Sequence, residues 1–372
     1  MRLAGTGYDR QVRHRARARH QPLGPGFASF EGNGVGETGR STPKSKGPAT
    51  IYDVARVSGV SPSTVSRALN KPGRLSADTE RRIRETAAEL GYRINPMARA
   101  LPTGKTGTLA LLVSDLTNPV YFDLLRGAER VAREHGSTLI FADSQESPEL
   151  ERATAERLQI AVDGLLLVAS RLDDAQIQEL ASVKPLVAVN RFVSGVSGVV
   201  PDVRPGITEA FEQLHRRGHR RIAYLAGPEA SWLNGMRWLA VFDLAADMDM
   251  EVVEIQTSAP TRDGGVEAFA EVKAAGVTAV LAYNDLVALG LLRACRDHRV
   301  DVPGDLSIVG FDDIFGADLS APALTTIRSP MSDMGKRAAQ MLHAEIEGNP
   351  GGTELLLPTK FVTRESVADP RK

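Results

Sequence analysis

The chain has 372 residues, of which 42% are hydrophobic and 24% are charged, a composition that predicts a globular protein with more than one domain. The single cysteine, Cys295, excludes an intramolecular disulfide, and the sequence contains no apolar run long enough to predict a membrane span. Residues 1–48 carry a net charge of +6, residues 49–105 carry +5, and residues 106–372 carry −12. A basic N-terminal region followed by an acidic remainder predicts that the N-terminal region binds a polyanion. A solvated charged surface is the alternative.

Residues 1–48 are rich in Gly, Arg, Ser and Pro, and their basic run "RQVRHRARARH" lacks helical apolar spacing. This composition predicts a disordered basic extension. The segment either adds non-specific DNA affinity or is an extension from a misplaced start codon, and the sequence leaves both alternatives open. It has no continuous apolar stretch of the secretory type, so we expect a cytoplasmic protein.

Three short helices are predicted within residues 49–93. The first, "TIYDVARVS", opens at Thr50, a residue suited to the N-cap. The second lies in "GVSPSTVSRALN", where Ser61 is the N-cap and Pro62 takes the first helical position, at which its missing N–H costs nothing. The third is "SADTERRIRETAAELGY", with acidic residues in the first turn, where the helix dipole favours them.

The second helix has a polar face. Its inward side is predicted to hold Val65, Ala68 and Leu69, and its outward side Ser63, Thr64, Arg67 and Asn70. The first helix is predicted to bury Ile51, Val54, Ala55 and Val57. Two helices joined by a short glycine-containing turn form the DNA-binding helix-turn-helix, whose second helix offers its N-terminal side chains to base edges in the major groove. A solvated helical hairpin is the alternative.

A linker is predicted at residues 94–105, where Pro102 and Gly104 interrupt regular structure. The tripeptide "GKT" within it is part of the phosphate-loop pattern. That pattern requires another glycine five residues before Gly104, and Arg99 occupies the position. The sequence therefore predicts no phosphate loop here.

From residue 106 onward, apolar runs alternate with amphipathic segments, a pattern that predicts parallel sheets covered by helices on both faces. The predicted strands are "TLALLVS", "STLIFADS", "VDGLLLVA", "PLVAVN", "RIAYLAG", "AVLAYND" and "SIVGFDD". So many strands predict two α/β lobes. Open α/β sheets bind ligands at the carboxyl ends of their strands, so polar residues that follow these runs are candidates for a binding site.

The segment "ATIYDVARVSGVSPSTVSRALNKPGRLSADTERRIRETAAELGYRINPMARAL" closely resembles the DNA-binding domain of the LacI/GalR (lactose-repressor) family of bacterial transcription regulators. The resemblance continues through "SDLTNPVYFDLLRGAERVAREHG", "GPEASWLNGMRW", "AYNDLVALGLL", "VPGDLSIVGFDDI" and "PALTTIRSPMSDMGKRAAQML", to "TKFVTRESVADP". It implies an α-helical helix-turn-helix domain followed by a two-lobed α/β domain similar to periplasmic sugar-binding proteins. The effector is then expected between the two lobes.

The resemblance also implies which residues meet DNA. Recognition-helix positions are matched by Ser61, Pro62, Ser63, Thr64, Ser66 and Arg67, and backbone-contacting or supporting positions by Thr50, Asn70 and Tyr92. The stretch from Asn95 to Leu101 matches the family's hinge helix, whose leucine wedges into the minor groove and kinks the DNA. Pro102 would end this helix at once, and a linker leucine packed on the core is the alternative for Leu101.

For the effector, the strand-end rule and the resemblance together suggest Asn118, Tyr121, Phe122, Asn190, Arg191, Ser231, Trp232, Arg237, Asp285 and Asp312. Aspartate and arginine facing one cleft suit a polyol, because they accept from and donate to neighbouring hydroxyls. Arg237 matches the arginine that grips the effector in the family. The alternative role of Asp285 is that of a helix N-cap, and the alternative for Arg191 is a structural ion pair. The alternative for Tyr121 and Phe122 is packing within the lobe.

The sequence thus predicts a dimeric transcription repressor that binds palindromic operator half-sites under the control of a sugar or sugar derivative, with a nucleobase or nucleoside as second choice. No leucine heptads follow Pro370, so a dimer is expected rather than a tetramer. A solute-binding protein of a transport system is the alternative. The histidines show no metal-ligand grouping and "GTGYDR" lacks the dinucleotide-binding spacing, so we expect neither an enzyme, a cofactor nor a metal.

Overall fold

The computed structural model describes residues 49–70, 73–92 and 105–371. The chain divides into two compact units, and the boundary falls between Arg93 and Ile94. The predicted basic extension and the predicted hinge helix, with Asn95 and Leu101, lie outside the described residues. Their assignments therefore stay predictions.

The N-terminal unit contains the helices α1 (Ile51–Ser58), α2 (Pro62–Asn70) and α3 (Ala77–Glu89). They pack around a small core of Val54, Ala55, Val65, Ala68, Ile83 and Ala87. Gly59 ends α1 with φ +67°, a left-handed conformation that glycine adopts without strain, and so turns the chain into α2. This arrangement confirms the predicted helix-turn-helix.

One prediction for α1 is wrong. Val57 is 53% exposed, and Ser58 is buried in its place, with its hydroxyl donating to the Val54 carbonyl. The buried positions of α1 are Val54, Ala55 and Ser58. A helix turns by about 100° per residue, so Val57 lies roughly 100° around the helix axis from the centre of this buried face. Its side chain therefore points toward solvent.

The C-terminal unit comprises, in chain order, β1 (Thr108–Val113), α4 (Val120–Glu134), β2 (Thr138–Asp143), α5 (Pro148–Ala161), β3 (Gly164–Val168), α6 (Asp174–Val183), β4 (Leu186–Val189), β5 (Ser197–Asp202), α7 (Val203–Arg216), β6 (Arg221–Ala226), α8 (Trp232–Asp247), β7 (Glu251–Gln256), α9 (Arg262–Glu267), α10 (Phe269–Ala274), β8 (Ala279–Ala282), α11 (Asp285–Asp297), β9 (Ser307–Asp312), β10 (Thr325–Arg328), α12 (Met331–Ile346), β11 (Glu354–Pro358) and β12 (Lys360–Val362).

These strands form two six-stranded sheets, one in each lobe. The first sheet has the order β11-β5-β4-β3-β1-β2 and is parallel throughout. The second has the order β12-β10-β9-β8-β6-β7, and its edge strand β12 runs antiparallel to β10. The central strands are buried on both faces, which explains their nearly continuous apolar sequences.

All seven strands that the sequence predicts are confirmed, and so is the two-lobed α/β architecture. The sequence does not predict β5, β7, β10, β11 and β12, which are short or carry polar residues. These strands pair with other segments of the chain, so their own residues do not suffice to predict them. The antiparallel strand β12 makes the second sheet mixed. No helix among the described residues is both long enough and apolar enough to cross a membrane.

Two helices of the first lobe, α4 and α12, approach closely enough to require glycine. A Cβ atom on Gly127 would lie 2.0 Å from the Ser332 carbonyl oxygen, and one on Gly335 would lie 2.0 Å from the Leu124 carbonyl oxygen. The close packing fixes the N-terminal ends of both helices beside each other. Those ends contribute residues to the cavity between the lobes.

Candidate functional site

The N-terminal end of α2 presents a cluster of hydroxyl groups. The Ser61 Oγ accepts from the Thr64 N–H at 3.2 Å, which is the predicted N-cap bond, and lies 2.8 Å from both Ser63 Oγ and Thr64 Oγ1. Ser61, Ser63 and Arg67 are exposed, while Pro62, Thr64 and Ser66 are half-buried. The side chain of Asn70 lies outside the described residues. The structure therefore exposes Ser61, Ser63 and Arg67 along α2 and leaves the other predicted recognition residues partly covered.

Thr50 caps α1 rather than pointing freely to solvent. Its hydroxyl donates to Asp53 Oδ2 at 2.7 Å and its backbone N–H donates to the same oxygen at 3.0 Å, completing a capping box. The hydrogen bond from the Thr50 hydroxyl is the main cause that lowers the pKa of Asp53 to about 2, and Arg56 adds to it. Thr50 thus supports the helix start, one of its two predicted roles.

A second candidate site is the cavity enclosed between the two lobes, which we call the chamber. The chamber has a free volume of about 30 Å³, room for roughly two water molecules. Strand ends and helix starts of both lobes supply its walls. The lining residues are Asn118, Val120, Tyr121, Ala169, Ser170, Arg171, Asn190, Ser231, Trp232, Leu233, Arg237, Tyr283, Asn284, Asp312, Ser329 and Met331.

The second-lobe wall is organised around Arg237 in α8. Its side chain is 3% exposed, Nη1 donates to the Tyr283 carbonyl, and Nη2 donates to Asp312 Oδ1 at 3.2 Å. The guanidinium carbon lies 3.7 Å from the ring centroid of Phe311, a distance at which a cation is attracted to the ring face. Burial is the main cause that raises the pKa of Asp312 to about 6, while the charge and hydrogen bond of Arg237 act to lower it.

The chamber also holds polar atoms that the described residues leave unsatisfied. Asn190 Oδ1 and Arg237 Nε are buried and have no hydrogen-bond partner among these residues. Asn190 adopts a left-handed backbone conformation, φ +68°, uncommon for a residue other than glycine. Buried polar groups are normally hydrogen-bonded, so such exceptions indicate a place where a ligand completes the bonding.

Four other predicted residues line the chamber, and each contacts a neighbouring group. Tyr121 places its hydroxyl 3.0 Å from Ser114 Oγ, and burial raises the pKa of this phenol. Ser231 is the N-cap of α8 and its Oγ lies 3.1 Å from the Tyr283 hydroxyl. Trp232 packs edge-on against a neighbouring phenylalanine, and Asn118 Oδ1 accepts from the Val120 N–H.

Three predicted effector residues do not line the chamber. Phe122 is 51% exposed on the outer side of α4, because one step along a helix rotates it about 100° away from Tyr121. Arg191 turns away from the chamber and donates to Asp174 Oδ1 at 2.5 Å and to a backbone carbonyl, the structural ion pair that was its alternative. Neither residue lines the chamber, and their assignment as effector contacts stays a prediction.

Asp285 is the third predicted residue that does not line the chamber. It is fully buried behind the chamber wall, where it accepts from the Ile314 N–H at 2.8 Å and from the Thr326 hydroxyl at 2.6 Å. Burial is the main cause that raises its pKa to about 8, and the negative charge of Asp312 adds to the rise. The N-cap of α11 is Asn284, which faces the chamber, and the next residue in the helix therefore points elsewhere.

Sequence reasoning missed several chamber residues, above all the segment Ala169–Arg171 that follows β3. The strand-end rule that led to Asn190 applies equally to "LLLVASR", so the signal was present in the sequence. Tyr283 and Asn284 follow β8 in the same way. Ser329 and Met331 follow β10, a strand too short and polar to be predicted.

Comparison with known proteins identifies the family. Residues 50–95 match bacterial regulatory proteins of the lacI family, and residues 211–367 match a periplasmic binding protein-like domain. The HTH-type transcriptional regulator GalR of Escherichia coli (strain K12) is 32% identical over 332 residues, which cover 87% of this chain and 96% of GalR. The chain belongs to the LacI family of bacterial regulatory proteins.

Two solved structures are similar to this chain over most of its length. The crystal structure of the Lac repressor dimer bound to operator and the anti-inducer ONPF is 25% identical, with a TM-score of 0.78 over 87% of this chain and 100% of that one. The transcriptional regulator CelR in complex with cellobiose is 30% identical, with a TM-score of 0.65 over 86% of this chain and 99% of that one. The predicted family and the role of a helix-turn-helix transcriptional regulator are confirmed.

Proposed function

We propose that this LacI-family regulator is a dimeric cytoplasmic repressor whose affinity for a palindromic operator is set by a sugar-type molecule bound in the chamber. The observation that carries the proposal is the buried Arg237–Asp312 pair with unsatisfied polar atoms around it, in a chain that also has the capped, polar α2 face.

The DNA-binding part of the proposal rests on the chemistry of α2. Its hydroxyls bond to phosphate oxygens or base edges, and Arg67 is long and exposed enough to donate two hydrogen bonds to one guanine. Without DNA, Ser61, Ser63 and Thr64 bond to one another. Binding exchanges these weak mutual bonds for bonds to the operator.

The effector part rests on the complementary groups that face the chamber. Asp312 and Asn190 Oδ1 accept from hydroxyl groups, Arg237 Nε donates to them, and Trp232 offers an apolar surface to a sugar ring. Among the relatives, CelR is in complex with cellobiose. The ionisable groups of the second-lobe wall are bonded to each other, which favours binding over catalysis.

Control of DNA binding then follows from the small volume of the chamber. A sugar ring does not fit into about 30 Å³, so the effector binds when the lobes move apart or the arginines shift. A ligand changes DNA affinity only through its different affinities for the two lobe arrangements. The relative orientation of the lobes is therefore the quantity that the effector changes.

The dimer is proposed because the Lac repressor, which this chain resembles along almost its whole length, is a dimer on its operator. Palindromic half-sites require two copies of α2 related by a two-fold axis. Light scattering of the purified chain should give the mass of two copies. A tetramer in solution would contradict this part of the proposal.

The effector site is tested by thermal unfolding of the full chain with a panel of sugars and nucleosides. A ligand at about 100 times its Kd stabilises the folded state by about 2.7 kcal/mol, a shift of several degrees. Arg237→Gln should abolish that shift. Arg204→Gln, which removes an exposed arginine paired with Asp243, is the matched control and should retain it. A shift that survives Arg237→Gln would place the ligand elsewhere.

A further inference from the structure

Two histidines stack on each other in the first lobe, away from the chamber. His135 is the C-cap residue of α4, and His343 lies in the last turn of α12. Their ring centroids are 4.1 Å apart, and the ring planes differ by 15°. Histidine is the side chain whose charge ordinarily changes between about pH 5 and pH 8, so this contact places two titratable rings face to face.

The histidine pair borders a cavity of about 290 Å³, the junction pocket, whose walls also include Lys105, Asp163 and Glu347. Asp163 directly precedes β3, and its carboxylate accepts from the Thr106 N–H at 2.6 Å and from the Gly107 N–H at 2.8 Å. These two N–H groups stand just before β1, where the chain arrives from the helical unit. The chamber lies beyond the carboxyl ends of the strands, so the junction pocket is at the opposite edge of the sheet. There, one carboxylate anchors the incoming chain.

The inner histidine of the pair is poorly placed to carry a charge. His343 is 7% exposed, and its Nε2 is buried without a hydrogen-bond partner among the described residues. Both ring nitrogens donate in the charged form, so protonation would leave a buried N–H without an acceptor. The outer ring, His135, is exposed, and its Nδ1 lies 2.9 Å from the Val131 carbonyl oxygen. A carbonyl oxygen only accepts, so the neutral ring of His135 carries its proton on Nδ1.

Charged and titratable groups face His343 from each neighbouring element of the described structure. They are His135 at the end of α4, Glu347 at the end of α12, Asp163 before β3 and Lys105 before β1. Burial is the main cause that lowers the pKa of His343, and His135 and Lys105 act in the same direction. Glu347 and Asp163 act against this lowering. The folded chain therefore favours the neutral ring, and the two carboxylates are the groups that a charged ring would attract.

We infer that the stacked histidines form a proton-sensitive joint, which weakens operator binding when His343 is protonated. A charged His343 is repelled by His135 and Lys105. It attracts the carboxylate of Asp163, which now anchors the incoming chain. When Asp163 turns toward the imidazolium, it gives up the two backbone N–H groups before β1, and the chain loses its anchor at the point where it enters the first lobe.

The anchor affects operator binding because it ties the helical unit to the lobes along the chain. Two half-sites related by a two-fold axis require both copies of α2 at a fixed spacing, whereas unrelated DNA is held mainly through its phosphates. A loosened anchor therefore lowers operator affinity more than non-specific affinity. The inference goes beyond the proposed function, in which only the effector controls DNA binding, and rests on that function for the two-fold operator alone.

The first test is chemical unfolding of the full chain, as wild type and as His343→Gln, between about pH 8 and about pH 5.5. The pKa of His343 is lowered in the folded chain from its ordinary value of 6.5. Its contribution to stability is therefore complete well above pH 6.5 and is lost as the pH falls through 6.5 toward the folded-state value. The drop in the unfolding midpoint of the two-lobed unit over this range should be at least halved in His343→Gln.

The second test is the ratio of the affinities for a selected operator and for unrelated DNA, measured by fluorescence anisotropy. Division by the affinity for unrelated DNA removes the general gain in phosphate attraction as other histidines become charged. The wild-type ratio should be at least fivefold smaller at about pH 6 than at about pH 8, where His343 is neutral. The ratio of His343→Gln should change less than twofold.

His298→Gln is the matched control. His298 is also the C-cap of a helix, α11, and its ring also stacks, at 4.5 Å between centroids, but on the uncharged ring of Phe269. This variant should keep the pH dependence of the wild type in both tests. Should His343→Gln fail to fold, His135→Gln changes an exposed position and removes the ring that repels a charged His343. It should also reduce the pH dependence of the operator ratio.

The outcomes separate this inference from the proposed function. Equal pH dependence of unfolding in wild type and His343→Gln overturns the inference, and so does a wild-type operator ratio that does not change with pH. Loss of the pH dependence in His298→Gln as well would show that the stacked pair is not its source and would also overturn the inference. The proposed function stands in each of these cases, because it is tested with sugars at constant pH. Failure of every sugar to alter operator affinity at about pH 8, where the histidines are neutral, contradicts the proposed function instead.

Discussion

The polar face of α2 and the chamber between the lobes contain similar side chains in opposite surroundings. On α2, Arg67 is exposed and its neighbouring hydroxyls are exposed or half-buried, whereas in the chamber Arg237 and Asp312 are buried and bonded to each other. An exposed side chain keeps its hydration and gains contacts only when a partner arrives. A buried ion pair is fixed in advance, and removal of one partner leaves the other charge unpaired.

This difference has a consequence for substitutions. Changes on the α2 face should alter what the protein binds and leave its folding intact. Changes in the chamber should alter folding and ligand binding together. The predictions that follow test this contrast, from the largest expected effect to the smallest.

The largest effect is expected from a charge in the small core of the helical unit. Val65 is fully buried among only a few apolar side chains, so Val65→Asp should unfold α1–α3 and abolish DNA binding. The two lobes, which form their own compact unit, should keep their thermal transition and ligand response. Val57→Asp, at an exposed position on α1, is the control and should fold normally. Loss of the ligand response in Val65→Asp would show that the units depend on each other.

The next largest effect is expected in the chamber. Asp312→Asn removes the carboxylate from buried Arg237 and should destabilise the two-lobed unit by about 3–5 kcal/mol, as breaking a buried pair does. Chemical unfolding measures the change. Asp243→Asn breaks the exposed pair with Arg204 and should cost at most about 1 kcal/mol. Equal losses in the two variants would contradict the contrast between buried and exposed pairs.

A smaller effect, confined to binding, is expected on α2. Arg67→Ala should reduce discrimination between operator and unrelated DNA by about 1–3 kcal/mol, the size of one good arginine–guanine contact. Salt-sensitive non-specific binding and thermal stability should change little. Arg56→Ala, which removes an exposed arginine of α1, is the comparison. Unchanged discrimination in Arg67→Ala would remove this residue from the recognition surface.

The smallest effect is expected at the capping box of α1. The pKa of Asp53 is lowered to about 2 from its ordinary value of 3.8, so its stabilising charge is fully present above about pH 4 and is lost as pH falls through 2. Asp53→Asn should therefore be slightly less stable than the wild type at pH 5. The difference should shrink as the pH approaches 2. A difference that stays constant over this range, measured by circular dichroism, would show that the charge is unimportant.

The helical unit was predictable in detail because its determinants are local. Thr50, Ser61, Pro62 and Gly59 act within a few residues of their own positions, and the structure has each in the expected capping or turning role. The one error, Val57, concerns how far the buried face of α1 extends around the helix. The extent of this face depends on how the neighbouring helices pack, and the sequence of α1 alone does not indicate that packing.

The chamber was only partly predictable because its residues come from distant strand ends. The strand-end rule correctly led to Asn190 and Asp312, whose positions depend only on where a strand stops. It could not say which way a side chain turns, and Arg191 and Asp285 both turn to partners far away in sequence. Arg171 escaped because its partner Glu146 follows a different strand, and sequence spacing gives no indication of that contact.

The most direct test of the account is the operator affinity of the full chain with and without an effector. Operator DNA selected from a randomised palindromic pool would be titrated by fluorescence anisotropy, in parallel with wild type and Arg237→Gln, in the presence of a sugar that shifts thermal unfolding. The account predicts that the sugar changes the wild-type affinity at least tenfold and leaves the Arg237→Gln affinity unchanged. An equal affinity of the wild type with and without the bound sugar would contradict the central claim that the chamber controls DNA binding.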